Sequence, residues 1–96
     1  MYAAFNAPHA PIQAPKKYYD ELSHIENHSQ RVYYAMIKSL DDAVGTITKK
    51  LQELGLEENT IIYFTSDNGG ANYIELEDIN KPYRGWKISF FEGGIR

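Results

Sequence analysis

SQRVYYAMIKSLDDAVGTITKKLQEL, residues Ser29–Leu54, is the stretch whose reading decides the fold. Tyr33, Ile37, Leu40, Val44, Ile47, Leu51 and Leu54 recur at alternating spacings of four and three. An α-helix turns once in about 3.6 residues, so this spacing draws one continuous apolar stripe along a helix. Ser29 suits the N-cap, where a side-chain oxygen accepts from a backbone N–H that the helix leaves unpaired. Lys49 and Lys50 lie near the C-terminus, where positive charge suits the helix dipole. Gly55 suits the left-handed residue that ends many helices. Asp41 and Asp42 sit mid-helix. Adjacent residues diverge by about 100° around the axis, so they read as a helix flank rather than an acid–base pair. A stripe of this length also fits a coiled coil, but one flanked by strands packs more often on a sheet.

Those flanks are short and β-prone. Residues 2–6 (YAAFN) are apolar and aromatic, and residues 60–65 (TIIYFT) are β-branched and aromatic. Both predict buried strands. Strand, helix, strand is the βαβ pattern, so the expected fold class is α/β, a parallel sheet flanked by helices. In such sheets ligands collect beyond the carboxyl ends of strands. His9 follows the first predicted strand, in APHAPIQAP (7–15), which Pro8, Pro11 and Pro15 hold in extended geometry. Asp67 and Asn68 follow the second, in SDNGG (66–70). The predicted topology therefore sets both groups on one edge of the sheet.

Asp67 and Asn68 offer one charged and one neutral oxygen. That favours Ca²⁺ or Mg²⁺ over zinc or copper. Two ligands complete neither ion's shell, so the others must come from elsewhere. Asp-Asn-Gly-Gly is also good turn chemistry, and composition alone favours the turn. Residues 69–83 read as an irregular surface loop. Beyond it, PYRGWKISFFEGGIR (82–96) carries Arg84 and Lys87 three apart around Gly85, then an apolar ISFF run. His9, Arg84 and Lys87 could bind an oxyanion, the lysine as a compact charge and the histidine as a donor to a leaving group. A cation plus such donors would neutralise a tetrahedral anion during ester cleavage. Residues 16–28 read as a loop with a helical turn. His24 and His28 are four apart there, with no carboxylate or cysteine to complete a metal site.

The bulk numbers narrow the classes. Ninety-six residues, 43% hydrophobic and 24% charged, bound one small globular domain. The net charge is −3 and the basic residues are dispersed, so there is no electrostatic footprint for nucleic acid. The longest apolar runs are too short to span a membrane. Met1 leads into YAAFNAPH without the pattern of a secretory leader. There are no cysteines, which excludes disulfides and thiolate metal sites in this chain.

Taken together, four pieces resemble the formylglycine-dependent (type I) sulfatases of the alkaline-phosphatase superfamily, most of all the arylsulfatase B (N-acetylgalactosamine-4-sulfatase) branch. They are NAPHAPIQAP (6–15), RVYYAMIKSLDDAVGTITKKLQELGLEENT (31–60), IIYFTSDNGG (61–70) and PYRGWKISFFEGGIR (82–96). The resemblance implies an alkaline-phosphatase-like parallel sheet and calcium-dependent cleavage of sulfate esters. It implies that Asp67 and Asn68 ligate calcium, that His9 contacts the ester near its leaving oxygen, and that Lys87 binds a sulfate oxygen. Arg84 and Arg96 match recurrent positions without a catalytic role. The implied substrate is a sulfated small molecule or sulfated glycan, and a lysosomal, secreted or periplasmic setting suits the longer parent.

Family members also carry an early Asp-Asp pair, an intervening lysine and histidine, and a Cys- or Ser-x-Pro-x-Arg motif whose first residue becomes the formylglycine nucleophile. None of these is in this chain. Residues 1–96 are therefore expected to be an internal fragment, a partial catalytic domain that lacks the nucleophile and is inactive alone. Two rival readings remain. One is a phosphate or phosphonate ester hydrolase of the same superfamily; Asn68 argues against it, since those relatives usually carry histidine there. The other is a truncated product with no chemistry.

Overall fold

The computed structural model describes residues 1–72, 76 and 79–95. Along the chain lie helix α1 (Lys16–Glu21), helix α2 (His28–Glu53), a 3-10 turn (Glu57–Asn59) and a short helix α3 (Glu92–Ile95). The chain divides into two compact units, Met1–Ile61 and Ile62–Arg96.

Helix α2 is the element expected from the apolar stripe, displaced by one residue at each end. Its N-cap is Asn27 rather than Ser29. The Asn27 backbone is extended, and its side chain accepts from the Gln30 N–H at 2.8 Å. Asparagine and serine cap equally well, so composition does not choose between neighbours; the point where the chain leaves extended geometry does. At the other end Gly55 takes φ 67°. Its N–H donates to the Gln52 carbonyl at 2.9 Å, and the Leu56 N–H to Leu51 at 3.0 Å. That pair of bonds is the Schellman arrangement, which satisfies carbonyls the helix would otherwise leave open.

The buried face of α2 is Val32, Tyr33, Ala35 and Met36. Leu40, Val44, Ile47 and Leu51 continue it as half-buried positions. Ile37 is 40% exposed. The packed face is centred near Met36, and a residue about 100° further round lies at its margin. Helix α1 packs on α2 through the buried Tyr18, whose hydroxyl donates to the Asp42 carboxylate at 2.7 Å. Arg31 Nε donates to the Tyr19 carbonyl at 2.7 Å, and its guanidinium lies 3.8 Å from the Tyr19 ring centre. Asp42 is thus a tie between helices, as its helix-flank reading allowed. His28 faces the Tyr19 hydroxyl at 2.9 Å and is part of the same packing. Each polar tie contributes about 1 kcal/mol, whereas burying a large apolar side chain contributes about 1.5–3 kcal/mol. The Tyr18, Val32, Tyr33 and Met36 cluster therefore dominates this unit. Burial, with Tyr34 beside it, raises the Tyr33 phenol pKa, so the group stays neutral.

The expected α/β fold is not what forms. Neither residues 2–6 nor residues 60–65 are strands, and there is no sheet among the described residues. Tyr2 is 92% exposed, Ile61 97% and Tyr63 85%. A helix closes its own N–H to C=O bonds, whereas a strand needs a partner in register for every one. No described segment supplies that partner, so β-prone composition alone makes no strand. With the sheet falls the inference that His9 and Asp67–Asn68 share its carboxyl edge. The apolar ISFF run forms exposed turns, with Phe90 99% and Ile88 71% exposed. No helix among the described residues is long and apolar enough to cross a membrane.

Candidate functional site

The second unit is held by backbone bonds between the SDNGG loop and the segment from Arg84 to Ile95. The Gly69 N–H donates to the Gly94 carbonyl at 3.0 Å, and the Lys87 N–H to the Gly70 carbonyl at 3.1 Å. The Gly93 N–H donates to Arg84 at 2.8 Å, and a turn closes from Ser89 N–H to the Trp86 carbonyl at 2.8 Å. Two motifs far apart in sequence are thereby bonded directly. Their glycines permit it. Gly69, Gly93 and Gly94 are buried, and a Cβ on Gly69 would fall on the Gly93 carbonyl oxygen. Only a residue without a side chain allows backbones to approach so closely.

This packing presents the Asp-Asn pair. The Asp67 carboxylate is exposed and enters no hydrogen bond or ion pair among the described residues. Asn68 is half-buried; its Nδ2 donates to the Gly69 carbonyl at 2.8 Å, which leaves Oδ1 as its acceptor atom. Ser66 Oγ donates to the Asn68 carbonyl at 2.6 Å and steadies the turn. The loop thus offers two hard oxygens, a donor set that fits calcium in kind. It does not fit in number, since calcium takes about six to eight oxygens. Among the described residues no three His, Asp or Glu side chains gather to hold a metal ion.

Lys87 is half-buried, and its backbone is fixed to Gly70, two residues beyond Asn68. The structure therefore brings the Lys87 backbone to the loop that carries Asp67 and Asn68. Arg84 is engaged in packing: its guanidinium lies 3.9 Å from the Phe91 ring centre and its carbonyl accepts from Gly93. Arg96 lies outside the described residues. A cleft of about 370 Å³ opens beside this turn, lined by residues that include Asn72, Asn80, Lys81, Tyr83, Arg84 and Trp86.

His9 belongs to the first unit. It is exposed in a turn that its N–H closes onto the Asn6 carbonyl at 2.8 Å. Its Nδ1 lies 2.7 Å from the Ala10 carbonyl oxygen. A carbonyl only accepts, so in that contact Nδ1 is the donor.

Asn80 is the residue that sequence reasoning missed. Its Oδ1 accepts from the Gly70 N–H at 2.7 Å, and its Nδ2 reaches the carbonyls of Gly70 at 3.1 Å and Gly85 at 3.3 Å. It sits in a stretch that reads as an irregular surface loop. The one available signal was chemical: an amide side chain carries the same donor and acceptor as a peptide group.

Comparison with known proteins bears on what this unit serves. The profile of the sulfatase family matches residues 1–91. The chain is 41% identical, over its whole length, to mouse arylsulfatase J, of which it covers 16%. It is 37% identical over its whole length to human N-acetylgalactosamine-6-sulfatase, covering 18% of that protein. Over 98% of its length it is 36% identical to uncharacterized sulfatase YdeN of Escherichia coli (strain K12), covering 17%. The chain thus spans less than a fifth of the length of these relatives. No solved structure matches it.

Proposed function

The chain belongs to the sulfatase family, and from that premise we propose that it serves in the hydrolysis of sulfate esters as one part of a longer enzyme. The observation that carries this reading is the pair of backbone bonds, Gly69 to Gly94 and Lys87 to Gly70, that join the Asp-Asn loop to the lysine segment. Asp67 and Asn68 would hold calcium through the carboxylate and the amide oxygen, with the remaining ligands supplied from outside these residues. When bound, calcium supplies positive charge to the sulfate oxygens. The Lys87 ammonium binds a sulfate oxygen as a compact charge. His9 gives the proton on Nε2 to the leaving alcohol oxygen, which otherwise departs as an alkoxide. The substrate is a sulfated small molecule or glycan, and the cleft lined by Tyr83, Arg84 and Trp86 suits the alcohol part. These residues include no cysteine and no Ser-x-Pro-x-Arg, so the nucleophile lies outside them and the 96 residues alone turn over nothing.

Leaving-group dependence tests this reading. In the full-length protein, His9→Ala should lower kcat/KM for a sugar or alkyl sulfate by about 10²–10⁴-fold, the usual range for a lost general acid. For 4-nitrophenyl sulfate, whose phenolate leaves unaided, the loss should be only a few-fold. Equal losses for both substrates would remove His9 from proton transfer. A wild-type protein inert toward both would overturn the functional reading itself.

A further inference from the structure

We propose that Asn80 is a positioning residue, which sets Lys87 and the Asp67–Asn68 loop in register by clamping the backbone between them. This rests on the sulfatase reading above. One side-chain amide meets both backbone groups of one residue: the Gly70 N–H donates to Oδ1 at 2.7 Å, and Nδ2 donates back to the Gly70 carbonyl at 3.1 Å. That two-point exchange mimics a pair of backbone bonds and fixes the orientation of Gly70, not only its distance. The Gly70 carbonyl also accepts from the Lys87 N–H at 3.1 Å, so Asn80 and Lys87 share one acceptor. Nδ2 reaches the Gly85 carbonyl at 3.3 Å, two residues before Lys87. The Asn80 carbonyl in turn accepts from the Tyr83 N–H at 2.8 Å, which closes the turn leading into Arg84–Lys87.

No other side chain fills this place without loss. Alanine leaves the half-buried Gly70 N–H without its acceptor. Aspartate keeps that acceptor but turns a carboxylate oxygen toward two carbonyls. The repulsion favours the protonated form, whose O–H can donate again. Glutamine is longer by one methylene. Asn80 touches neither Asp67 nor the Lys87 side chain in any of these bonds, so it acts on the reaction through the backbone alone.

The test compares Asn80→Asp and Asn80→Ala with wild type in the full-length protein. Rates are measured with 4-methylumbelliferyl sulfate, per folded molecule, from pH 4 to 8, alongside amide hydrogen exchange at Gly70 and Lys87. A misplacement of about 1 Å costs about 10²-fold in rate, so both variants should lose about that much in kcat at neutral pH. The Asn80→Asp rate, relative to wild type, should recover several-fold as the pH falls, while the Asn80→Ala ratio stays flat. Gly70 and Lys87 amides should exchange faster in Asn80→Ala. A merely structural role would lower the folded fraction and leave kcat per folded molecule within threefold at every pH; that result overturns the proposal. If Asn80→Ala does not fold, the pH profile of Asn80→Asp decides. If wild type turns over no sulfate ester, the sulfatase reading fails, and exchange alone decides on Asn80: acceleration supports the clamp and unchanged rates overturn it.

Discussion

Asp67→Ala in the full-length protein is expected to lower kcat/KM for aryl sulfates by about 10³-fold or more without moving the melting temperature. The two halves of that result have separate causes. The carboxylate is exposed and bonds to nothing among the described residues, so its removal costs the fold little; surface changes of this kind stay within about 0.5 kcal/mol. In the proposed function the same carboxylate is the charged ligand of the cation that neutralises the sulfate. Loss of several kcal/mol of such stabilisation, at tenfold per about 1.4 kcal/mol, gives the expected factor. Asp67→Asn keeps the shape and loses the charge, so its rate should lie between the two. Steady-state kinetics beside a thermal melt read both halves. Turnover within tenfold of wild type would remove Asp67 from the site, and a large fall in melting temperature would make it structural.

The second large effect is on the fold. Gly69→Ala should disrupt the second unit, because the added Cβ lands on the Gly93 carbonyl oxygen, with the carbonyl carbon only 2.7 Å away. The obstacle is backbone, so no rotamer change relieves it. The Gly69–Gly94 bond, beside that contact, would be lost with it. Overpacking typically costs about 1–3 kcal/mol, and a lost backbone bond in a buried setting adds about 1–3 kcal/mol. Gly45→Ala is the control: a Cβ there meets nothing within 4 Å on helix α2. It should stabilise by up to about 1 kcal/mol, the helix preference for alanine over glycine. Denaturant unfolding with limited proteolysis near residue 69 should separate the two. Equal behaviour of the variants would refute the close approach of the two glycine segments.

How much of this the sequence discloses follows from where each element finds its partners. Helix α2 is legible to within a residue because its bonds, its cap and its Gly55 stop are all local. The strands are not, because alternation and β-branching state a preference for pairing and name no partner. Tyr63 and Ile61 keep the preference and remain exposed. By composition SDNGG reads as the end of a strand, whereas in the structure its placement comes from glycines meeting glycines. Gly69 with Gly93 and Gly94 carried a signal of close approach that turn chemistry obscured. Asn80 was illegible because its three bonds reach two loops that only folding brings beside it. Asp42 shows the converse: it lies on the helix flank that its spacing predicts, and it receives the Tyr18 hydroxyl there.

The central claim is that the Asp-Asn loop and the Lys87 segment form one unit that serves sulfate-ester hydrolysis. The most direct measurement is the kcat/KM of the full-length protein for 4-nitrophenyl sulfate against 4-nitrophenyl phosphate. The leaving group is identical, so only recognition of the transferred group differs. The account predicts that the sulfate ester is the better substrate by at least tenfold, and that Lys87→Ala lowers its turnover. Phosphate turned over equally well or better, or sulfate turnover indifferent to Lys87→Ala, would contradict it.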